Sequence, residues 1–420
     1  MFKNPYLDSL FLFCLVNMWI IILYQAFLVI MAYRFFLVCR QRLEKNLKNF
    51  NEYPFVSILI PAHNEEAVIE STLDSMLDLD YPADKVEILI VDDESTDGTA
   101  KILDRYAKEY RRIKPIHVPI GKGRKGKAFA LNQATKISKG DIICIYDADN
   151  NPEPTALKYL VAELMSDPKI SVVCGKVRTQ NRKKNLLTKF INLEFISHQW
   201  MVQAGRWYRN KIAMIPGTNF VIRKEVLNEI GGWDENALTE DTELTLRILE
   251  MGKYVSFNPF AITWEQEPES WGVWQRQRLR WLMGNQYIVK KYMRWSQLRM
   301  KNIRQILYMF TVYSSLFVTI VMSDLIFIFG LLNVAHIEVS GPLFLTWIFA
   351  LLIFVISIAI TTSFEETSES TIQSMGLAFL MYFTYCQFWI FLNFKSMYQS
   401  FVQKTDKTFW VKTPRVRLKP

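Results

Sequence analysis

VEILIVDDESTDGT (residues 86–99) decides the fold. Its first six residues are Val, Ile and Leu broken only by Glu87, a run that is too short for a packed helix and rich in β-branched side chains. That pattern describes a strand buried on both faces. Two aspartates close it, and a polar Ser-Thr-Asp-Gly turn follows. Three further runs share this form: VSILIP (56–61), DIICIYDAD (141–149) and ISVVCG (170–175). Residues 65–78, 97–111 and 126–138 between them carry helical periodicity. Alternation of this kind predicts a doubly wound α/β sheet, with ligands at the carboxyl ends of the strands. The acidic clusters of the chain fall at those ends.

Outward from this core the composition changes. Of 420 residues, 50% are hydrophobic and 14% aromatic, with 29 Phe and 12 Trp, and the excess lies toward the two ends. Residues 10–33 are almost unbroken apolar sequence, about the 20 residues that a helix needs to cross hydrocarbon. Arg34, Arg40, Arg42, Lys45 and Lys48 follow, which predicts a retained anchor and places the next domain in the cytoplasm. Three later apolar stretches lie at about 307–332, 341–361 and 373–394. The third contains Gln373, Gln387 and Asn393, and both a full crossing and an interfacial or re-entrant path fit it. The expected organisation is therefore an anchor over 1–40, a catalytic domain over 50–300 that ends in interfacial helices, a membrane region over 305–395 and a basic tail over 396–420. The net charge of +9 sits beside the apolar segments and has no recognition motif with it, so a lipid bilayer and not nucleic acid is the expected partner. Five scattered cysteines without CxxC or Cys/His spacing argue against structural zinc.

Four motifs carry chemistry. Asp92-Asp93 at a strand end can accept hydrogen bonds from a uracil or a ribose hydroxyl, or cap the turn into the next helix. Asp147-Ala148-Asp149 places two carboxylates at i and i+2 where they can converge on one hard divalent cation, Mg²⁺ or Mn²⁺. Thr239-Glu240-Asp241 supplies candidate catalytic carboxylates. Asp241 is suited to deprotonate an acceptor hydroxyl during glycosyl transfer with inversion, and the same segment can cap the helix LTLRILE. In Gln277-Arg278-Leu279-Arg280-Trp281, Arg280 offers paired donors to a diphosphate and Trp281 a flat face to a sugar. With Trp271, Trp274 and Trp295 nearby, an interfacial helix fits as well.

PAHNEE (61–66), VDD (91–93), DAD (147–149), TED (239–241) and QRLRW (277–281), in this order, resemble the processive family-2 glycosyltransferases: cellulose, hyaluronan, chitin and poly-N-acetylglucosamine synthases. One apolar segment before the domain and three after it look most like the poly-N-acetylglucosamine branch. The resemblance implies a GT-A fold, a UDP-sugar donor, a growing polysaccharide as acceptor, Mg²⁺ or Mn²⁺, and accessory secretion or regulatory subunits. Carried onto this chain, it implies nucleoside contacts from Ala62, Glu65 and Asp93, with Lys127 beside the nucleotide. Asp147 and Asp149 would hold nucleotide and metal, and Asp241, next to Glu240, would be the base. Gln277, Arg280 and Trp281 would form the diphosphate and acceptor site. Gly217 and Thr218 lie where the family contacts the acceptor sugar, although Pro216-Gly217-Thr218-Asn219-Phe220 departs from the FFCGS pattern of cellulose synthases. A single-addition transferase acting on a lipid-linked sugar would share VDD and DAD but has no evident need of QRLRW. A silent scaffold would have no use for TED.

The tail, FWVKTPR (409–415), resembles the gating segment of these synthases, with Trp410, Thr413 and Arg415 over the donor. From residue 395 onward there are seven Lys or Arg and one Asp, which favours the cytoplasm. Three complete spans after a cytoplasmic domain would instead put the tail outside. With Thr408→Cys as the sole cysteine, we expect shielding from an impermeant thiol reagent in intact cells. Labelling from outside would make 373–394 a full span and end the gating idea.

Overall fold

The computed structural model describes residues 5–293, 303–332, 340–365 and 371–402, so Trp295, Trp410, Thr413 and Arg415 lie outside the described residues. One mixed sheet of eight strands organises the domain: β1 (Val56–Ala62), β2 (Val86–Asp92), β3 (Ile113–His117), β4 (Ile142–Ile145), β5 (Asn151–Pro152), β6 (Ile170–Thr179), β7 (Phe220–Arg223) and β8 (Tyr254–Glu265), in the order β3-β2-β1-β4-β7-β6-β8-β5. Parallel pairing of β1 with β2 sets Ala62 beside Asp92, and parallel pairing with β4 sets Leu59 beside Ile145. The acidic motifs therefore emerge along one sheet edge. The four strands expected from sequence all form. The sheet is not uniformly parallel, because β7 runs antiparallel to both β4 and β6. The short FVIR strand has no periodicity long enough to announce itself.

Helix α1 (Pro5–Lys48) runs through 44 residues without a break, about 66 Å at 1.5 Å per residue, roughly twice a bilayer core. It does not stop at the basic flank. Its last turns run onto the domain, where Arg42 Nη2 and Asn46 Nδ2 each donate to Glu163 at 2.6 Å. Glu163 also accepts from Ser256 Oγ at 2.6 Å and is buried, so three side chains share one carboxylate. Ala32, Phe35 and Cys39 of α1 belong to the same apolar core as the strands.

Helices α2 (Ile69–Leu77), α3 (Thr99–Glu109) and α4 (Lys127–Ile137) fall where their periodicity placed them. They are followed by α5 (Ala156–Met165), α6 (Leu186–Ser197), a π-turn over His198–Ala204, α7 (Gly205–Asn210), α8 (Lys224–Glu229), α9 (Glu240–Glu250) and the long α10 (Trp271–Tyr292). Beyond the domain come α11 (Ile303–Phe310), a π-turn over Thr311–Ser315, α12 (Leu316–Leu331), α13 (Ser340–Ser363), α14 (Thr371–Phe383) and α15 (Tyr385–Val402). The Tyr313 carbonyl within the second π-turn accepts from Asn393 Nδ2 of α15 at 2.8 Å and Gln286 Nε2 of α10 at 3.4 Å. A π-turn lifts a carbonyl out of the helical ladder, and here two side chains satisfy it.

Among the described residues, four helices are long and apolar enough to cross a membrane: Asp8–Lys48, Ile303–Ile326, Leu345–Ser363 and Ile372–Gln399. The last is interrupted at Thr384, where α14 gives way to α15. Just past α13, Glu365 is buried and accepts from Lys176 Nζ at 3.1 Å, from Trp200 Nε1 at 2.6 Å and from Arg178 Nη1. Burial works against its charge, but Lys176 and Arg178 hold its carboxyl below the usual range. Phe364 stacks on Phe36 of α1, with ring centroids 4.4 Å apart. The end of α13 is therefore anchored to strand β6. Removing one partner of a buried ion cluster strands the others, so Glu365→Ala is expected to cost about 3–5 kcal/mol. Thermal unfolding in detergent would measure this, and an unchanged melting temperature would contradict the anchoring.

Candidate active site

At the ends of β1 and β2 the two chains stay in step, with the Asp93 amide donating to the Ala62 carbonyl at 2.9 Å. Asp92 is committed to structure. Its Oδ1 accepts the Ser95 amide at 3.0 Å, and its Oδ2 lies 2.9 Å from His117 Nδ1. Burial opposes protonation of His117, yet Asp92 and Asp104 together raise its pKa above the usual value. Asp93 Oδ1 receives the Arg124 amide at 2.8 Å, which brings the glycine- and lysine-rich loop of residues 121–126 against the VDD turn. Burial raises the pKa of Asp93. Glu65 is buried beside it, with its amide on Thr99 Oγ1 at 2.8 Å. Ala62, Glu65 and Asp93 thus share one corner. Asp92 caps the turn after β2 through the Ser95 amide, while Gly98 is the N-cap position of α3.

Lys127, in the first turn of α4, reaches across the sheet edge. Its Nζ lies 2.5 Å from Asp147 Oδ1, 2.8 Å from the Gly217 carbonyl and 3.9 Å from Glu240 Oε1. Burial disfavours the ammonium, but Asp147 and Glu240 outweigh it and its pKa rises. The Asp147 amide donates to Thr218 Oγ1 at 3.0 Å and to Asn150 Oδ1 at 3.2 Å, which fixes the backbone of the DAD turn. Asp149 is buried in the same turn.

TED opens α9, with Glu240 and Asp241 in its first turn and Thr239 at the cap position without a side-chain cap bond. The positive end of the helix dipole favours carboxylates there. Asp241 Oδ1 accepts the Thr242 amide at 2.7 Å. Gly217, at φ +86°, comes so close that a Cβ on it would lie 3.0 Å from Asp241 Oδ2. Burial, then the Asp241 charge, pushes the Glu240 carboxyl up to about 7 against the pull of Lys127 and Arg280. Burial raises Asp241 as well.

Helix α10 covers TED. A Cβ at Gly284 would sit 2.5 Å from Thr239 Cγ2, so only glycine allows this approach, and Asn285 Oδ1 accepts from Thr242 Oγ1 at 3.1 Å. Gln277, Arg280 and Trp281 are half-buried on this helix. Arg278 is fully buried. Its Nη2 lies 3.0 Å from Glu194 Oε2 of α6, its Nη1 donates to Gln277 Oε1 at 3.2 Å, and its Cζ stands 4.1 Å from the Trp281 ring centroid. Trp274 Nε1 donates to Tyr385 Oη at 2.8 Å, and that hydroxyl donates to Glu194 at 2.5 Å. One side of α10 therefore closes the carboxylate site, and the other packs on α6 and α15.

A family model described as glycosyltransferase like family 2 matches residues 54–284, more than half of the chain. The chain belongs to glycosyltransferase family 2. It is 44% identical over 97% of its length to a Bacillus subtilis protein named "Probable glycosyltransferase YdaM", of which the match covers 98%. It is 27% identical to the poly-β-1,6-N-acetyl-D-glucosamine synthase of Staphylococcus epidermidis, over 69% of each chain. The mannosyltransferase PcManGT of Pyrobaculum calidifontis, solved with GDP-mannose and Mn²⁺, shares the fold at a TM-score of 0.57 and 20% identity, covering 91% of this chain and 99% of that one. The GT-A fold expected from the motifs is thus borne out, as is membership of a family of sugar-transferring enzymes.

This family-2 transferase brings Lys127, Asp147, Gly217, Thr218, Glu240 and Asp241 together, with Arg280 near enough to oppose the rise of both TED carboxyls. Sequence reasoning passed over Asn150, Asn219 and Arg278. Arg278 had a readable signal: with Trp274, Leu282 and Asn285 it forms a buried stripe of α10 at helical spacing. The two asparagines had none, because Asn150 meets Thr218 and Asn219 meets Lys176 and Ala261, all more than 40 positions away. The raised Glu240 carboxyl has a consequence for stability. A proton held more tightly in the folded chain stabilises it fully below about pH 4.5, and this stabilisation is lost as pH rises through about 7. Glu240→Gln is therefore expected to match the parent in melting temperature at low pH and to melt a few degrees higher near pH 8. A difference independent of pH would show that Glu240 titrates normally.

Proposed function

We propose that the chain is a membrane-embedded inverting glycosyltransferase that transfers sugar from a UDP-sugar to a growing polysaccharide, adds many residues per encounter, and passes the product to its own membrane helices. One observation carries this reading: the TED turn lies under α10, whose opposite side is bonded to α6 and α15 through Arg278, Trp274 and Tyr385. An acceptor held at Asp241 would meet helix α10, and then the apolar helices, as it lengthens. The resemblance to a polysaccharide synthase supports the same direction. The basic residues Arg34, Arg40, Lys45 and Lys48 along α1 support a cytoplasmic catalytic domain.

In this reading Asp241 accepts the proton of the acceptor hydroxyl as that oxygen bonds to the anomeric carbon. The bond from that carbon to the diphosphate breaks, and UDP leaves. Burial raises the pKa of Asp241 against the pull of Lys127 and Arg280, which makes it a stronger base than a solvated aspartate. Glu240, protonated for much of the time near neutrality, limits the negative charge facing the donor. Lys127 and Arg280 supply positive charge toward the diphosphate, and Ala62, Glu65 and Asp93 line the nucleoside corner. Gln277, Trp281, Gly217 and Thr218 border the acceptor side. Asp147 and Asp149 fit a hard divalent cation, Mg²⁺ or Mn²⁺, because they offer two carboxylates on one turn and leave further positions for diphosphate oxygens. Such an ion, when bound, neutralises the leaving group. Lys127 bonds to one of these carboxylates, Asp147, and shares its charge.

Purified protein supplied with radiolabelled UDP-sugars tests the reading. A long product is expected, a single addition would favour a lipid-linked acceptor, and no turnover with any donor would indicate a scaffold. Asp241→Asn is expected to lower turnover by roughly 10²–10⁴-fold with UDP affinity nearly unchanged. Retention of most activity would remove Asp241 from the role of base.

A further inference from the structure

The loop bearing Gly217 and Thr218 runs directly into Asn219. Asn219 is wholly buried and adopts φ +50°, a left-handed conformation that asparagine tolerates better than most residues. Beneath it the ladder between β6 and β8 is broken, since Cys174 pairs with Phe257 while Lys176 pairs with Ile262. Asn219 Nδ2 fills this break, donating to the Lys176 carbonyl at 3.0 Å and the Ala261 carbonyl at 2.9 Å. Its own carbonyl accepts the Gly175 amide at 2.8 Å. A Cβ at Gly175 would lie 2.4 Å from Asn219 Nδ2 and 2.3 Å from the Ala261 oxygen, so the carboxamide fits only over glycine. An apolar side chain at 219 would leave two buried carbonyls short of a donor.

The two residues before Asn219 are those that touch the site. The Gly217 carbonyl accepts from Lys127 Nζ, and Thr218 Oγ1 accepts the Asp147 amide and donates to Asn150. We propose that Asn219 is a positioning residue for glycosyl transfer: by plugging the β6–β8 break in a left-handed conformation, it locks Gly217 and Thr218 where they hold Lys127 and the DAD turn in register. The proposal rests on the roles given above to Lys127 and Asp147. Asn219 itself touches neither donor nor acceptor.

Asn219→Gly separates the two properties, because it keeps access to φ +50° and deletes the carboxamide. In the full-length protein, we expect kcat to fall on the order of 10–100-fold, since small misplacements of catalytic groups have effects of that size. The Mn²⁺ concentration for half-maximal UDP binding, measured by calorimetry, should rise severalfold. Ser57→Ala, which removes a buried hydrogen bond to Glu87 at the end of β1 away from the site, serves as the structural control and should keep parent values in both assays. Gly175→Ala, which pushes on the carboxamide with Asn219 in place, should reproduce the Asn219→Gly signature and decides the matter where the glycine variant does not fold. Parent kcat and Mn²⁺ dependence in either folded variant would overturn the proposal. Asp147→Asn, assayed in parallel, separates the two levels. Its full activity would sink the reading on which the proposal rests, whereas its inactivity beside a fully active Asn219→Gly would sink the proposal alone.

Discussion

One ammonium group holds the site together. Lys127 bonds to Asp147, 20 positions away, and to the Gly217 carbonyl, 90 positions away, while facing Glu240. Three acidic side chains, Asp147, Glu240 and Asp241, act on it, and without a positive charge their mutual repulsion in a buried setting would drive protons onto them. With it, the DAD turn, the Gly217–Thr218 loop and the first turn of α9 share one electrostatic centre. The raised carboxyls of Glu240 and Asp241 show that the compensation is partial, and carboxyls perturbed by burial in this way are characteristic of functional sites.

Helix α10 extends this centre toward the apolar helices. Its contact with TED depends on Gly284, and its contact with α6 and α15 depends on Arg278. A guanidinium buried at that depth needs a partner. Glu194 supplies it, with Tyr385 completing the network, and the Arg278 charge is retained more strongly than usual despite the burial. The arrangement ties α6, α10 and α15 to one ion pair, so the position of QRLRW over the site is set partly by the apolar helices.

The anchor and the later helices are likewise not appendages. The Glu163 cluster seats α1 on the domain, and the Glu365 cluster seats the end of α13 on β6, the strand whose Lys176 carbonyl supports Asn219. Side chains from α1 and from the end of α13 enter the domain core. A charged group buried at each junction gives these contacts a fixed geometry, because a misplaced partner would leave an uncompensated ion.

Much of this was legible in the linear chain. Short apolar runs ending in Asp92-Asp93 and Asp147-Ala148-Asp149 specified strands with acidic ends, since a strand buried on both faces cannot be polar along its length. The unbroken apolar stretches specified helices long enough to span a bilayer. The motif order specified the family, and with it the residues that converge. Tertiary structure alone decided the antiparallel insertion of β7, because a four-residue strand takes its direction from its neighbours and not from its composition. It alone placed Arg278 in an ion pair, Asn150 and Asn219 behind the site, and Glu163 and Glu365 at the helix junctions. Each of these side chains is buried, polar and bonded to at least one group far away in sequence. Local patterning records which residues avoid water, but a buried polar group is specified by its partner, and the fold chooses the partner.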